Sequence, residues 1–240
     1  MKYRPTGSML VRMRKHTRTL VTCASAMIAL GTLTACSGES TKTPASSSTA
    51  VAAKPFPGSA HYIADMPMQD GKTMTVGVAV EGDKIAAYAC DGTSDEAWFF
   101  GTQKDGSLDI KSKYQDTLKA SYDGTDVVGD LTMNDVTYHF SAPSVPAPAG
   151  MYTAIANGVR ASWVVRPDQT VTGVQNSNNR DSDVADLVIA QEQEFRDKVR
   201  ARRLARQLQQ AQALQWGTWR STINGTPVVA TIINGDTRLT

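Results

Sequence analysis

The stretch TMTVGVAVEGDKIAAYACDG, residues 73–92, decides the fold. In its first half Met74, Val76, Val78 and Val80 alternate with Thr75, Gly77 and Ala79, the period-two pattern of a strand with one strongly apolar face. Glu81-Gly82-Asp83 ends that run, Ile85 to Cys90 makes the next, and Asp91-Gly92 ends it in turn. Glycine and aspartate supply the positive φ that tight hairpin turns demand, so the two strands are expected to pair antiparallel.

The same punctuation continues down the chain. Ala97 to Gly101 leads to Asp105-Gly106, Leu108 to Tyr114 leads to Gln115-Asp116, and Leu118, Ala120 and Tyr122 precede Asp123-Gly124. Val127 to Met133 reaches Asn134-Asp135, after which Val136, Tyr138 and Phe140 alternate again. Pro143, Pro146 and Pro148 read as an interruption of the sheet. Beyond them Met151 to Ala156 and Val159 to Val165 flank Asn157-Gly158 as another hairpin, with Val159, Ala161, Trp163 and Val165 on one face. Gly173 to Arg180 reads as a polar connection. Thr218 to Ile223 and Pro227 to Ile233 flank Asn224-Gly225 as a last hairpin that pairs back with the meander. The expected fold is all-β, an antiparallel β-meander forming a barrel or sandwich.

One long helix is expected before the last hairpin, from Asp183 to about Leu214. Asp183 and Asp186 suit its start, and Lys198, Arg200, Arg202, Arg203 and Arg206 suit the negative end of the helix dipole. Val184, Val188, Phe195 and Val199 continue into Leu204, Leu208 and Ala211 as a drifting apolar stripe. The helix reads as an insertion that the β fold can do without. Its arginine-rich side reads as a solvated face, or as one that touches anionic headgroups if the protein is held at a membrane.

The beginning of the chain predicts such an attachment. Lys2, Arg4, Arg12, Arg14, Lys15 and Arg18 form a basic region that starts at Met1, Met9 or Met13, and an apolar run follows from Leu20 to Leu33. That run is shorter than the ~20 apolar residues a bilayer span needs. It closes on Leu33-Thr34-Ala35-Cys36, which resembles the bacterial lipobox: small side chains beside the scissile bond and a thiol to carry the diacylglycerol. Cys23, preceded by Leu20-Val21-Thr22, does not fit the pattern. The expected organisation is a lipoprotein signal peptide over residues 1–35, a lipidated tether over 36–58, and a single β-rich domain over 59–240. The tether, ending SGESTKTPASSSTAVAAKPFPG, has too little apolar content to repay the entropy of folding. Palmitate and related acyl chains on Cys36 would place the domain on the extracytoplasmic face of the cell membrane.

Removal of the signal changes the charge balance. Six of the 25 basic residues and none of the 23 acidic ones precede Cys36, so 19 basic and 23 acidic residues remain, a net charge of −4. That balance lacks the basic excess of a nucleic-acid binder. No catalytic, nucleotide or metal motif is present, so no cofactor, no metal and no enzymatic activity is expected. His61 and His139 are the two histidines after Cys36, and Cys90 is the one remaining thiol, too few His and Cys ligands for a structural zinc site. Cys90 reads as a buried packing thiol. The loop Asp91-Gly92-Thr93-Ser94-Asp95-Glu96 gathers three carboxylates but lacks the spacing of a calcium loop, and reads as a polar turn.

The candidate partner surface is aromatic. Trp98 and Phe100 share one face of their strand and Phe99 takes the other, so both faces need cover; Trp216 and Trp219 raise the same question near the last hairpin. Two roles suit an envelope β-domain: an interaction module for an envelope protein, glycan or lipid, or a carrier with an apolar ligand inside a barrel. A barrel filled by Trp98, Trp163, Tyr122 and Tyr138 would have no room for cargo. The lipobox, the tether, and the stretches VGVAVEGDKIAAYACDGTSDEAWFFG and YHFSAPSVPAPAGMYTA together resemble secreted lipoproteins of mycobacteria and related actinobacteria. The resemblance implies membrane attachment through Cys36 and a biochemical function that is undefined.

Overall fold

A computed structural model describes residues 53–177 and 192–239. Cys36, the signal segment, most of the tether and the first part of the expected helix lie outside the described residues.

Eight strands make the principal sheet: β1 (Ser59–Pro67), β2 (Thr73–Glu81), β3 (Lys84–Cys90), β4 (Glu96–Thr102), β5 (Ser107–Lys111), β6 (Thr117–Tyr122), β7 (Asp126–Met133) and β8 (Val136–Val145). Their spatial order is β4-β3-β2-β1-β8-β7-β6-β5, antiparallel throughout and nearly closed into a barrel. The expected single meander is therefore two four-stranded meanders. They join where β1 meets β8 through His61↔Val145 and Tyr62↔Ser144. β1, not among the strands expected from the sequence, turns Ala60, Tyr62, Ala64 and Met66 to the barrel in alternation and breaks the pattern at Ile63, which is buried on the other face. Pro143 does not break the sheet: it lies within β8, one residue past the last pair with β1, so its missing N–H costs no bond to that neighbour.

A second sheet packs on the outside of β1–β4. It contains β9 (Gly150–Ala156), β10 (Val159–Val165), β11 (Val171–Asn176), β12 (Leu208–Gln210) and β15 (Thr231–Ile232), in the order β12-β11-β10-β9-β15. The expected hairpin of β9 and β10 is present in register, with Trp163 opposite Tyr152. A hairpin of β13 (Arg220–Ile223) and β14 (Thr226–Val229) stands beside this sheet.

Three expectations need correction here. The helix α1 (Glu192–Leu204) stops ten residues short of Leu214. Residues Leu208–Gln210 instead add a strand to the free edge of β11, and Ala211 and Leu214 enter a core, so tertiary bonds override the helical spacing. The polar stretch after Val171 is a strand, with Gln175 and Asn176 buried between layers. The segment after the last hairpin pairs with β9 through Thr231↔Thr153 and Ile232↔Tyr152, not with the meander.

The layers enclose three apolar cores. The barrel interior is filled by Tyr62, Met74, Val78, Phe99, Leu118 and Leu131 among others. Of the four aromatics expected there, Tyr122 and Tyr138 pack against this core, whereas Trp98 and Trp163 lie outside it. The second core, between barrel and second sheet, sets Ala79, Ala86 and Tyr88 against Met151, Val164 and Val174. The third covers the far side of the second sheet, where Val159, Ala161, Trp163 and Val165 do share one face. The Trp163 indole N–H donates to the carbonyl of Gln212 at 2.9 Å.

Residues 53–58, the end of the expected tether, sit on one end of the barrel. The Lys54 N–H donates to the Tyr122 carbonyl at 2.7 Å, and Phe56 stacks on Tyr122 with ring centroids 5.1 Å apart.

Gly77 sets the spacing of the first two layers, because a Cβ there would lie 2.6 Å from Cγ of Met151. Gly77→Val should destabilise the domain by ~1–3 kcal/mol through overpacking. Urea denaturation of the single variant and of Gly77→Val/Met151→Ala tests this: the second substitution should recover part of the loss, and equal midpoints for both variants would show that the contact does not limit the packing.

Candidate functional site

The aromatic triplet divides between two layers. Phe99 points into the barrel and is fully buried. Trp98 and Phe100 point outward, with ring planes only 4° apart and centroids 5.5 Å apart. Tyr88 closes on Trp98 from beneath at 4.5 Å. Trp216 and Trp219 belong elsewhere: Trp219 stacks on Tyr152 at 4.5 Å, Trp216 meets Trp219 edge-on, and both help cover the third core. The five aromatics expected to form a partner surface therefore do not form one surface. Trp98 and Phe100 reach a cleft.

That cleft is the open seam of the barrel. β4 and β5 are the two edges of the eight-stranded sheet and also consecutive in the chain. At their turn they are held by reciprocal backbone bonds between Lys104 and Ser107, 2.8 and 2.9 Å long. Just above, Gly101 lets the edges close, since a Cβ there would lie 2.9 Å from Cγ1 of Ile110. No ladder joins the two strands beyond this point, and a cavity of about 220 Å³ opens beside them. Trp98 and Phe100 line it from β4, while Lys111, Lys113 and Tyr114 line it from the end of β5. Arg160 and Asn176 contribute from the second sheet, and Arg206 and Leu239 complete the lining.

Ion pairs fix the mouth of the seam. Glu96 is 1% exposed and its carboxylate accepts bonds from the Tyr88 hydroxyl at 3.0 Å, the Arg160 guanidinium at 2.9 Å and the Asn176 amide at 2.9 Å. These contacts tie the barrel to β10 and β11. Arg206 donates to the backbone carbonyl of Glu96 at 2.6 Å and to Asp95 at 3.0 Å, and its guanidinium lies 4.7 Å from the centre of the Tyr114 ring. It thereby gives a buried carbonyl on an edge strand a donor, a role that a neighbouring strand fills elsewhere. Arg203 joins Asp95, at 2.9 Å, to Asp116. Burial alone would lower its pKa, but the charges of Asp95 and Asp116 outweigh burial and raise it.

The loop 91–96 is thus a structural turn, as its spacing suggested. Asp91 accepts backbone N–H bonds from Thr93, Ser94 and Asp95 at 2.7–2.8 Å. Burial pushes its carboxyl up, yet those donors, with the Ser94 hydroxyl, hold it well below the usual carboxylate range. Among the described residues no group of three His, Cys, Asp or Glu side chains is placed to hold a metal. Cys90 is fully buried, and burial pushes its thiol up to about 12. His139 is on the solvated face of its strand, beside Asp130 at 2.5 Å.

The sequence pointed to Trp98 and Phe100 but not to the residues that make them part of a site. Arg160 is 64 positions from Glu96 and Arg206 is 110 from it, so no local spacing signals either contact. Lys113 and Tyr114 lie just past a strand end, where lysine and tyrosine are ordinary. Comparisons with protein-family models, curated proteins and solved structures find no match to the chain.

Two outcomes follow from these charges. Truncating Glu96→Ala leaves the Arg160 guanidinium buried without its carboxylate and should cost ~3–5 kcal/mol in urea denaturation; a loss below ~1 kcal/mol would mean that water reaches the pair. Asp91 is a carboxylate with a depressed folded-state pKa, so its contribution is present above the unfolded value of ~3.9 and fades as pH falls through the folded value. Asp91→Asn should therefore be less stable than wild type at pH 7, with the gap narrowing below about pH 4. Thermal melts from pH 7 to pH 2 measure the difference, and a gap that stays constant would rule out Asp91 as its source.

Proposed function

We propose that the protein is a cell-envelope lipoprotein, attached through Cys36 to the extracytoplasmic face of the membrane, whose β-domain works as a non-enzymatic binding module. The observation that carries the module reading is the seam cleft. It combines two parallel, stacked aromatic side chains with cationic ones and is held open by ion pairs that do not involve the aromatic pair itself. Ligand sites commonly take this form, an apolar recess with a few placed polar groups. The alternative, a carrier with cargo inside the barrel, has less support because the interior is occupied by close-packed side chains such as Phe99, Leu118 and Leu131.

Attachment rests on the sequence Leu33-Thr34-Ala35-Cys36 and on its chemistry. Two or three acyl chains give stable anchoring where one is marginal. Metabolic labelling with a fatty-acid analogue should mark the wild-type protein and Cys23→Ala equally. Cys36→Ala should carry no label and should accumulate as the larger, uncleaved precursor. Label that survives Cys36→Ala, or a wild type without label, would show that the protein is not anchored in this way.

A further inference from the structure

The sides of the cleft are not equally secured. At the start of β4, Glu96 is held by Tyr88, Arg160 and Asn176, and Arg206 bonds both the Glu96 carbonyl and Asp95. The side beside Phe100 is formed differently. It is the segment after β15, residues 234–239, and it is fastened firmly at one end only. Ile233 is buried in the second core, and its N–H donates to the Met151 carbonyl at 2.8 Å. Gly235 is wedged against the turn between β2 and β3, where a Cβ would lie 2.3 Å from the Glu81 nitrogen and 2.4 Å from the Lys84 carbonyl oxygen. The chain then turns on itself: the Thr237 N–H donates to the Asn234 carbonyl at 3.1 Å, and the Asn234 N–H to the Thr237 hydroxyl at 3.0 Å.

Past that turn the hold is slight. Among the described residues no backbone bond joins residues 236–239 to a strand. The exposed Arg238 guanidinium lies 5.5 Å from the centre of the Phe100 ring and reaches the Gly101 carbonyl only at 3.4 Å. Its shorter bonds, 2.9 and 2.7 Å, go to the Gly235 and Thr237 carbonyls of its own segment. Leu239 is half-buried beside the second core, as Trp98 and Phe100 are, and all three line the cleft. Segments with so few buried contacts open at low cost.

Resting on the module reading above, we propose that residues 236–239 form a strap over the cleft, anchored at Gly235, which swings away when a ligand takes the Phe100 side. The closed cleft, about 220 Å³, is below the ~300–1,000 Å³ of common ligand pockets, and the strap is the side whose movement enlarges it at least cost. Lifting it uncovers the Phe100 face that now lies under Arg238. The site is then competent only while the strap is open, and the apparent affinity of an occupant falls with the closed fraction.

The test uses the whole protein and 4-hydroxybiphenyl, an uncharged two-ring probe, in titration calorimetry. Arg238→Ala/Leu239→Ala loosens the strap without touching its anchor and should bind the probe about fivefold or more tightly than wild type, as a larger open fraction requires. Arg238→Ala alone, a change at an exposed side chain, should give part of that gain. Phe100→Ala added to the double variant should cancel it, and circular dichroism checks that each variant stays folded. Equal or weaker binding by the double variant, beside a wild type that binds the probe and loses it on Phe100→Ala, overturns the strap and leaves the cleft as the module's site. A gain that survives Phe100→Ala also overturns the strap, because the probe then binds elsewhere. If neither wild type nor any variant binds at millimolar concentration, the strap and the cleft as the module's site fall together.

Discussion

The arrangement of this domain depends on two strands that have no solvent face. β2 is buried at each of its seven interior positions, and β3 at every position after Lys84. On one side they supply Met74, Val76, Val78, Val80 and Ile85 to the barrel; on the other, Gly77, Ala79 and Ala86 meet the second sheet. Large side chains are needed to fill a barrel, and small ones to bring a second sheet close. The alternation of valine with glycine and alanine is therefore a record of two different neighbours. Everything further out is placed by that contact: the second sheet on the barrel, and the segment after α1 on the second sheet.

The same contact explains why the barrel stays open where it does. Glu96 at the start of β4 is held by residues of β10 and β11, so that end of β4 belongs as much to the second sheet as to the barrel. The turn end, around Lys104 and Ser107, closes normally. β4 thus leaves β5 progressively, and Arg206 takes over the edge bonding where no strand can. A buried ion pair contributes little net stability over an apolar pair of equal volume. Here it fixes where the edge departs, and a recess follows.

Much of the fold was legible because hairpins announce themselves locally. Asp-Gly and Asn-Gly turns marked the ends of β3, β6, β9 and β13, and period two marked strands with one exposed face, such as β5 and β6. What the sequence hid was non-local. β1 alternates except at Ile63, but its place between β2 and β8 depends on a strand some 80 residues away; β11 ends in a glutamine and an asparagine that are buried against distant partners, Gln175 at Asn224 and Asn176 at Glu96. The helical spacing of Leu204, Leu208 and Ala211 is genuine, but an unpaired edge of β11 offered the backbone better bonds. For the site, the aromatic pair was visible as Trp98 and Phe100, whereas Lys111, Lys113 and Arg206 reach it only through folding.

Lys54 and Phe56 mark where the described chain joins the barrel. They occupy the barrel end that carries the Asp105-Gly106 and Asp123-Gly124 turns, while Glu96, Tyr114 and the C-terminal part of α1 belong to the opposite end. The seam therefore opens at the far end of the barrel from the point where the chain enters it, and a ligand entering the seam has no need to displace that segment.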